Sequence, residues 1–335
     1  MSVHRKHMQH RAFGNTGLQV SVLGFGCGAV GGLMVRGEHR DMFRSIEYAL
    51  ESGINYFDTA RMYGDGLSEI HTGAILRELG AKDALVGTKV RLSAAEFDDI
   101  EKTVEGQIDN SLRRLGRDSL DIVYTHNSIG VERDPEEGLL NLDDLERIVG
   151  VFRRAVESGK LRFWGFNGLG DTEAIHSAVE RFGPAGIHGC YNMLNPTSGY
   201  PAPSGFPFQD YLQLLNEAAQ RGVGTVAIRV LAAGALSGGS ARHPIAAQDV
   251  APIATGQTLN EDVARSGAFS FLVDDGFADN LVEAAIRFAI SNENLSTALV
   301  GLSSFEQLEE AVAYANRGPL PSEAMERLEG VWAAL

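Results

Sequence analysis

Residues 22–32 read VLGFGCGAVGG, and within them Gly26-Cys27-Gly28-Ala29-Val30-Gly31 spells G-x-G-x-x-G. In a doubly wound dinucleotide fold that spacing follows a strand and opens a helix at once, because the helix N-terminus holds the pyrophosphate. Here GGLMVRGEHRD comes next. Gly31, Gly32 and Gly37 each make an immediate helix roughly 1 kcal/mol costlier than alanine would, and helical periodicity starts only near Arg40. Asp58, the nearest acidic strand end, lies further on than the ~20 residues at which a ribose-binding carboxylate normally sits. The stretch therefore reads as a strand end. Gly26 and Gly28, with Cys27 between them, let main chain approach a ligand at its mouth. The alternative is a Rossmann-type dehydrogenase, which predicts cofactor loss on changing Gly26 and Gly28 and indifference to changes at 301–310.

On either side of this stretch the pattern is regular. Upstream, RAFGNTGLQVS (11–21) is a hairpin turning at Asn15-Thr16-Gly17. Downstream, helical segments at 40–53, 67–80, 98–116, 142–159, 172–183, 208–222, 278–293 and 304–316 alternate with short apolar runs. Strands separated by helices imply a parallel sheet. Eight units in one series imply a closed (β/α)8 TIM barrel, with the N-terminal β-hairpin added and a long loop after strand 7 at 236–278. Residues 1–10 are expected to be a flexible tail, and 11–335 a single barrel domain.

The bulk numbers narrow the function. The chain has 335 residues, 44% of them hydrophobic and 22% charged, so it suffices for one large soluble domain. A formal net charge of −15 repels phosphate backbones, and no basic, aromatic-interleaved patch offsets it, so nucleic acid is not expected as a partner. No apolar run of about 18 residues exists to span a membrane. Two cysteines, Cys27 and Cys190, sit in apolar segments and read as reduced thiols, which fits a cytoplasmic protein. His4, His7 and His10 are spaced by three but have no second ligand set, so no metal is expected.

In a barrel, catalytic side chains gather at the C-terminal ends of strands. Strand two ends in Asp58 and is followed by Tyr63; strand three carries Lys89 in GTKV; strand four ends in His126 in YTHN. Tyrosine is a reluctant acid near neutrality, and a nearby ammonium lowers its pKa. Asp58 can hold that ammonium, and a neutral histidine can orient a carbonyl oxygen. Together these groups can protonate an alkoxide while a hydride reaches carbon.

These residues resemble a known family. GINYFDTARMYGDGLSE (53–69) looks like the aldo-keto reductase signature around its aspartate and tyrosine; GTKV and SLRRLGRDSLDIVYTHN (111–127) resemble its lysine and histidine segments. The resemblance implies a nicotinamide cofactor held without a Rossmann domain, and reversible interconversion of an aldehyde, ketone or sugar with its alcohol. It implies Tyr63 as general acid/base, tuned by Lys89 and Asp58, with His126 orienting substrate. Where the family often has Ser-Asn and Gln at the carboxamide, this chain has Asn167-Gly168 and His188, and Asn167 and His188 can still hydrogen-bond it. Ile228, in place of the family's usual aromatic, packs on the ring, with Arg229, Leu231 and Gly234 following it. Gly301, Ser303, Gln307 and Glu310 grip the adenosine end. NADP is the implied cofactor, and NAD stays open because 301–310 lacks the Arg or Lys that pairs with a 2′-phosphate. A non-enzymatic NADP-binding regulatory subunit of the same fold is the alternative the resemblance also carries. Specificity is expected from loops 128–141, 193–208 and 236–278, with Tyr200, Phe206 and Phe208 as candidate pocket walls.

Overall fold

The computed structural model describes residues 8–334. Eight parallel strands close a barrel in chain order: β1 (Leu23–Gly26), β2 (Tyr56–Asp58), β3 (Leu85–Val90), β4 (Leu120–Thr125), β5 (Leu161–Gly168), β6 (Gly186–Cys190), β7 (Gly224–Ile228) and β8 (Thr297–Gly301). Strand β8 pairs back onto β1, with Leu299 opposite Gly24 and Gly301 opposite Gly26. Helices α1 (His39–Glu51), α2 (Leu67–Glu78), α3 (Ile100–Leu115), α4 (Leu142–Glu157), α5 (Thr172–Phe182), α6 (Leu214–Gln220), α7 (Leu281–Ser291) and α8 (Phe305–Asn316) complete the (β/α)8 barrel. Each helix buries one stripe; in α1 this is Met42, Ile46 and Ala49. Several begin on a side-chain cap. Asn141, Asp171 and Asn280 each accept the amide three residues on, at 3.0, 2.9 and 2.9 Å, satisfying donors that the helix leaves unpaired.

The barrel interior is filled from below by three large aromatics. Phe13 of the hairpin (strands His10–Ala12 and Gln19–Ser21), Tyr56 and Tyr124 are fully buried, and the two phenols share a hydrogen bond of 2.9 Å. The sequence makes room for them with inward-facing glycines. A Cβ at Gly87 would come within 2.6 Å of the Tyr56 hydroxyl, at Gly165 within 2.7 Å of the Tyr124 ring, and at Gly186 within 2.7 Å of Phe13. Burying an aromatic of this size contributes about 2 kcal/mol. Arg11 fastens the hairpin to the barrel by donating to the carbonyls of Ile290, Asn292 and Leu295 at 2.7–2.8 Å.

The opening motif is explained by contact. Gly26 ends β1, no long helix follows it, and only the single turn Leu33–Arg36 precedes α1. A Cβ at Gly31 would sit 2.5 Å from the Leu302 backbone, so this glycine serves the close passage of two chain segments. Gly31→Ala is expected to lower stability by about 1–3 kcal/mol, readable as a drop in melting temperature. The closed barrel removes the Rossmann-type alternative.

Three expectations change, and one helix comes in addition. Met8 is buried and His10 pairs with Ser21, so the tail expected over 1–10 does not include 8–10; residues 1–7, with His4 and His7, lie outside the described residues. The helix expected at 208–222 shrinks to α6 because Leu212 (φ 49°) and Gln213 (φ 57°) are left-handed. The segment 236–278 is not one loop: Thr258 caps a helix, Leu259–Ser266, and a turn, Phe271–Asp274, follows. A terminal helix, Ser322–Trp332, lies beyond the eighth unit and is anchored by the Trp332 indole donating to Met193 O at 2.9 Å. Among the described residues no helix is long and apolar enough to cross a membrane. Cys27 and Cys190 are both free and buried.

Candidate active site

Inward alternation along β2, β3 and β4 places Asp58, Lys89 and His126 at one rim of the barrel. Lys89 donates from Nζ to Asp58 Oδ1, and to Thr59 O at 2.8 Å; it is 2% exposed and Asp58 is 4% exposed. The turn after β2 returns Tyr63 over this pair, so that Lys89 Nζ lies 4.9 Å from the phenol ring centroid. His126 meets the same ring edge-on, centroids 5.7 Å apart at 85°. Its main chain is fixed by donation to Val90 O at 2.7 Å, and its carbonyl accepts Asn167 Nδ2 at 3.2 Å.

Burial dominates the electrostatics. It favours the neutral Lys89, yet the Asp58 carboxylate and the Tyr63 phenol more than offset this, so the ammonium is held above the usual lysine range. Burial raises the Asp58 carboxyl, with Lys89 opposing. It also raises Tyr63, and here the sequence expectation needs correction: Lys89 pulls the phenol down without reversing burial, because the enclosed hydroxyl loses more hydration than one ammonium restores. His126 is lowered to about 3 by burial and by the charges of Lys89 and Arg91, so it is neutral. The arrangement can hold a neutral phenol against an ammonium, beside a neutral imidazole, at one solvent-reachable point.

A cleft of about 350 Å³ runs from Tyr63 along β1 and β8. Eleven of the fourteen expected cofactor positions line it: Gly26, Gly28, Asp58, Ile228, Arg229, Leu231, Gly234, Gly301, Ser303, Gln307 and Glu310. Its floor has no side chains at Gly28 and Gly301, where an added Cβ would meet nothing nearer than 3.9 and 3.7 Å. At these two positions a ligand can lie directly against main chain, as an extended dinucleotide would. Three expected positions do not line it. Cys27 turns its thiol into the core, where burial pushes it up to about 12. Asn167 spends its amide on His126 O. His188 is buried, with Nε2 3.4 Å from Asp58 Oδ2. Tyr200 also departs from its expected place, packing 5.1 Å from Trp332 and 6.3 Å from Phe288, away from the cleft.

Sequence reasoning missed Arg242, which lines the cleft from the segment after β7 and donates to Ala233 O at 2.5 Å. That segment is stitched across to the chain after β1, where Ala247 N donates to Val30 O at 2.9 Å and Arg36 Nε to Ile245 O at 2.6 Å. Its composition carries no strong periodicity, so only the expectation that specificity comes from 236–278 pointed here. Among the described residues no cluster of three or more His, Cys, Asp or Glu is placed to hold a metal.

Comparison with known proteins agrees with this geometry. The sequence profile of the Aldo/keto reductase family matches residues 22–333. An L-galactose dehydrogenase of Arabidopsis thaliana is 30% identical over 307 residues, covering 90% of this chain and 86% of the relative. A pyridoxal 4-dehydrogenase of Microbacterium luteolum is 28% identical, covering 93% and 94%. An aldo-keto reductase from Bacillus halodurans, solved in its holo form, superposes with a TM-score of 0.72 at 22% identity, covering 97% of this chain and 96% of that one, and so shares the fold. The chain belongs to the aldo/keto reductase family of oxidoreductases.

Proposed function

We propose that the protein interconverts a small carbonyl compound (an aldehyde, a ketone or a sugar) and its alcohol, with Tyr63 moving the proton. The observation that carries the reading is the buried Asp58–Lys89 pair, with Lys89 Nζ 4.9 Å from the Tyr63 ring centroid and neutral His126 edge-on to the same ring. A nicotinamide bound in the cleft supplies or accepts the hydride. The protein's part is positional and electrostatic. His126, neutral, gives one N–H to the carbonyl oxygen and fixes its direction. Tyr63, neutral because burial raises it, carries the proton that oxygen needs as it becomes an alkoxide. Lys89 stabilises the phenolate left behind, and Asp58 keeps Lys89 charged. In the oxidative direction the phenolate is the base, so oxidation gains rate as pH rises while reduction loses it on the alkaline side.

NADP is proposed as the cofactor on the family's habit, with NAD accepted as well. Ser303, Gln307 and Glu310 line the far end of the cleft without a lysine or arginine among them to grip a 2′-phosphate. Fluorescence titration is expected to give NADPH and NADH dissociation constants within about tenfold, or ~1.4 kcal/mol; a preference beyond about a hundredfold overturns that reading of the far end. Reduced-cofactor oxidation with a panel of aldehydes, ketones and aldoses tests the function itself. Turnover with at least one class is expected. Tight cofactor binding with no turnover on any would assign the chain to the regulatory reading.

A further inference from the structure

His188 stands on β6 with Asn167 of β5 on one side and Val226 of β7 on the other, and it is 1% exposed. Its ring lies 4.1 Å from that of Tyr124 at 41°. Tyr124 is itself immobilised, by the Tyr56 hydroxyl above the Phe13 plug and by the space Gly165 leaves. This support brings Nε2 to 3.4 Å from Asp58 Oδ2. Both atoms are buried, and neither has a hydrogen-bond partner, whereas Asp58 Oδ1 is taken by Lys89. Burial, followed by the charges of Lys89 and His126, keeps the imidazole neutral, so it has one N–H and one lone pair to place. A lone pair turned on a carboxylate lone pair is repulsive; an N–H turned on it is a charge-assisted hydrogen bond.

We propose that His188 is a positioning residue of the reaction: it donates Nε2–H to Asp58 Oδ2 and so fixes the carboxylate that holds the Lys89 ammonium beside Tyr63. The inference rests on Tyr63 as the proton carrier. The groups facing this carboxylate are Tyr56 on its own strand, Cys27 after β1, Lys89 on β3, Tyr124 on β4, and Tyr63 after β2; of these only Lys89 hydrogen-bonds it. Without the His188 donor, Oδ2 is a buried, unpaired carboxylate oxygen, and the carboxyl takes up a proton more readily. Lys89, dehydrated and without its counter-charge, then gives up its own charge, and with the ammonium gone the Tyr63 proton becomes harder to remove.

The tautomer is read on the intact wild-type protein by long-range ¹H–¹⁵N NMR with labelled histidine. The expected signature is a neutral ring protonated at Nε2 from about pH 5 to about pH 9; an Nδ1–H tautomer overturns the proposal without reference to turnover, and so leaves the Tyr63 reading to its own test. Two variants give the kinetic arm. His188→Leu is expected to lower kcat about tenfold with KM within about threefold, and to move the pKa governing alcohol oxidation up by about one unit. His188→Gln, whose amide still donates, is expected to return that pKa to its wild-type position. If the profile of His188→Leu stays put while cofactor affinity falls, the ring serves the cofactor instead, and the proposal fails.

Discussion

Tyr63→Phe is expected to lower kcat for carbonyl reduction by about 10²–10⁴-fold, or ~3–5 kcal/mol of transition-state stabilisation, while the reduced cofactor binds as before. No neighbouring group can take over the proton. His126 is neutral with its affinity lowered to about 3, and Lys89 already donates to Asp58 and to Thr59 O. The substitution removes only a hydroxyl from a half-buried ring, so the barrel is not perturbed. Stopped-flow measurement of the hydride step, with a fluorescence titration of the cofactor, separates the two quantities. Wild-type turnover in this variant would remove Tyr63 from the mechanism. Loss of cofactor binding along with turnover would mean that the phenol supports the cleft rather than the chemistry.

Lys89→Met should be costly twice over. Removing one member of a buried pair strands the other, and such losses run to about 3–5 kcal/mol. Both residues are almost fully buried here, so little solvent screening softens the effect. Activity is expected to fall by at least about a hundredfold, because the phenolate loses its ammonium. The pH dependence carries a sign. Asp58 is already raised by burial, and in the variant nothing of comparable size opposes that. A carboxyl that binds its proton more tightly folded than unfolded favours the folded state most below the ordinary carboxylate range, and that advantage drains away as pH rises. The melting temperature of Lys89→Met should therefore fall more steeply than wild type between acid and neutral pH. Asp58→Asn introduced on top should recover stability but not activity. A variant with wild-type stability and slope would mean that the pair is solvated in solution.

The architecture was legible because the chain repeats one unit, and because glycines and caps mark where each unit turns. What escaped lies outside that repeat. The helix Ser322–Trp332 belongs to no ninth strand, and the first turn of the helix expected at 208–222 is undone by two left-handed residues that no periodicity announces. The strand-end rule found Asp58, Lys89 and His126 because each interrupts an apolar run, and the resemblance of 53–69 added weight to Tyr63. It did not reveal that His188 addresses Asp58. Those residues come from β2 and β6, far apart in the sheet, and they meet only because the sheet closes. The Tyr63 pKa moves up rather than down for a related reason: an ammonium at the next strand end can be read from the sequence, whereas dehydration needs the whole enclosure.

The aromatic plug under the barrel has a kinetic consequence. With Phe13, Tyr56 and Tyr124 buried across its base, the barrel is closed there among the described residues, and the cleft opens at the rim. The segment around Ile245 and Ala247 arches over the groove from β7 to the chain after β1, so whatever lies in the cleft sits beneath it. On the proposed function, the coenzyme is then expected to bind before the carbonyl and to leave after the product, an order that product-inhibition kinetics would show.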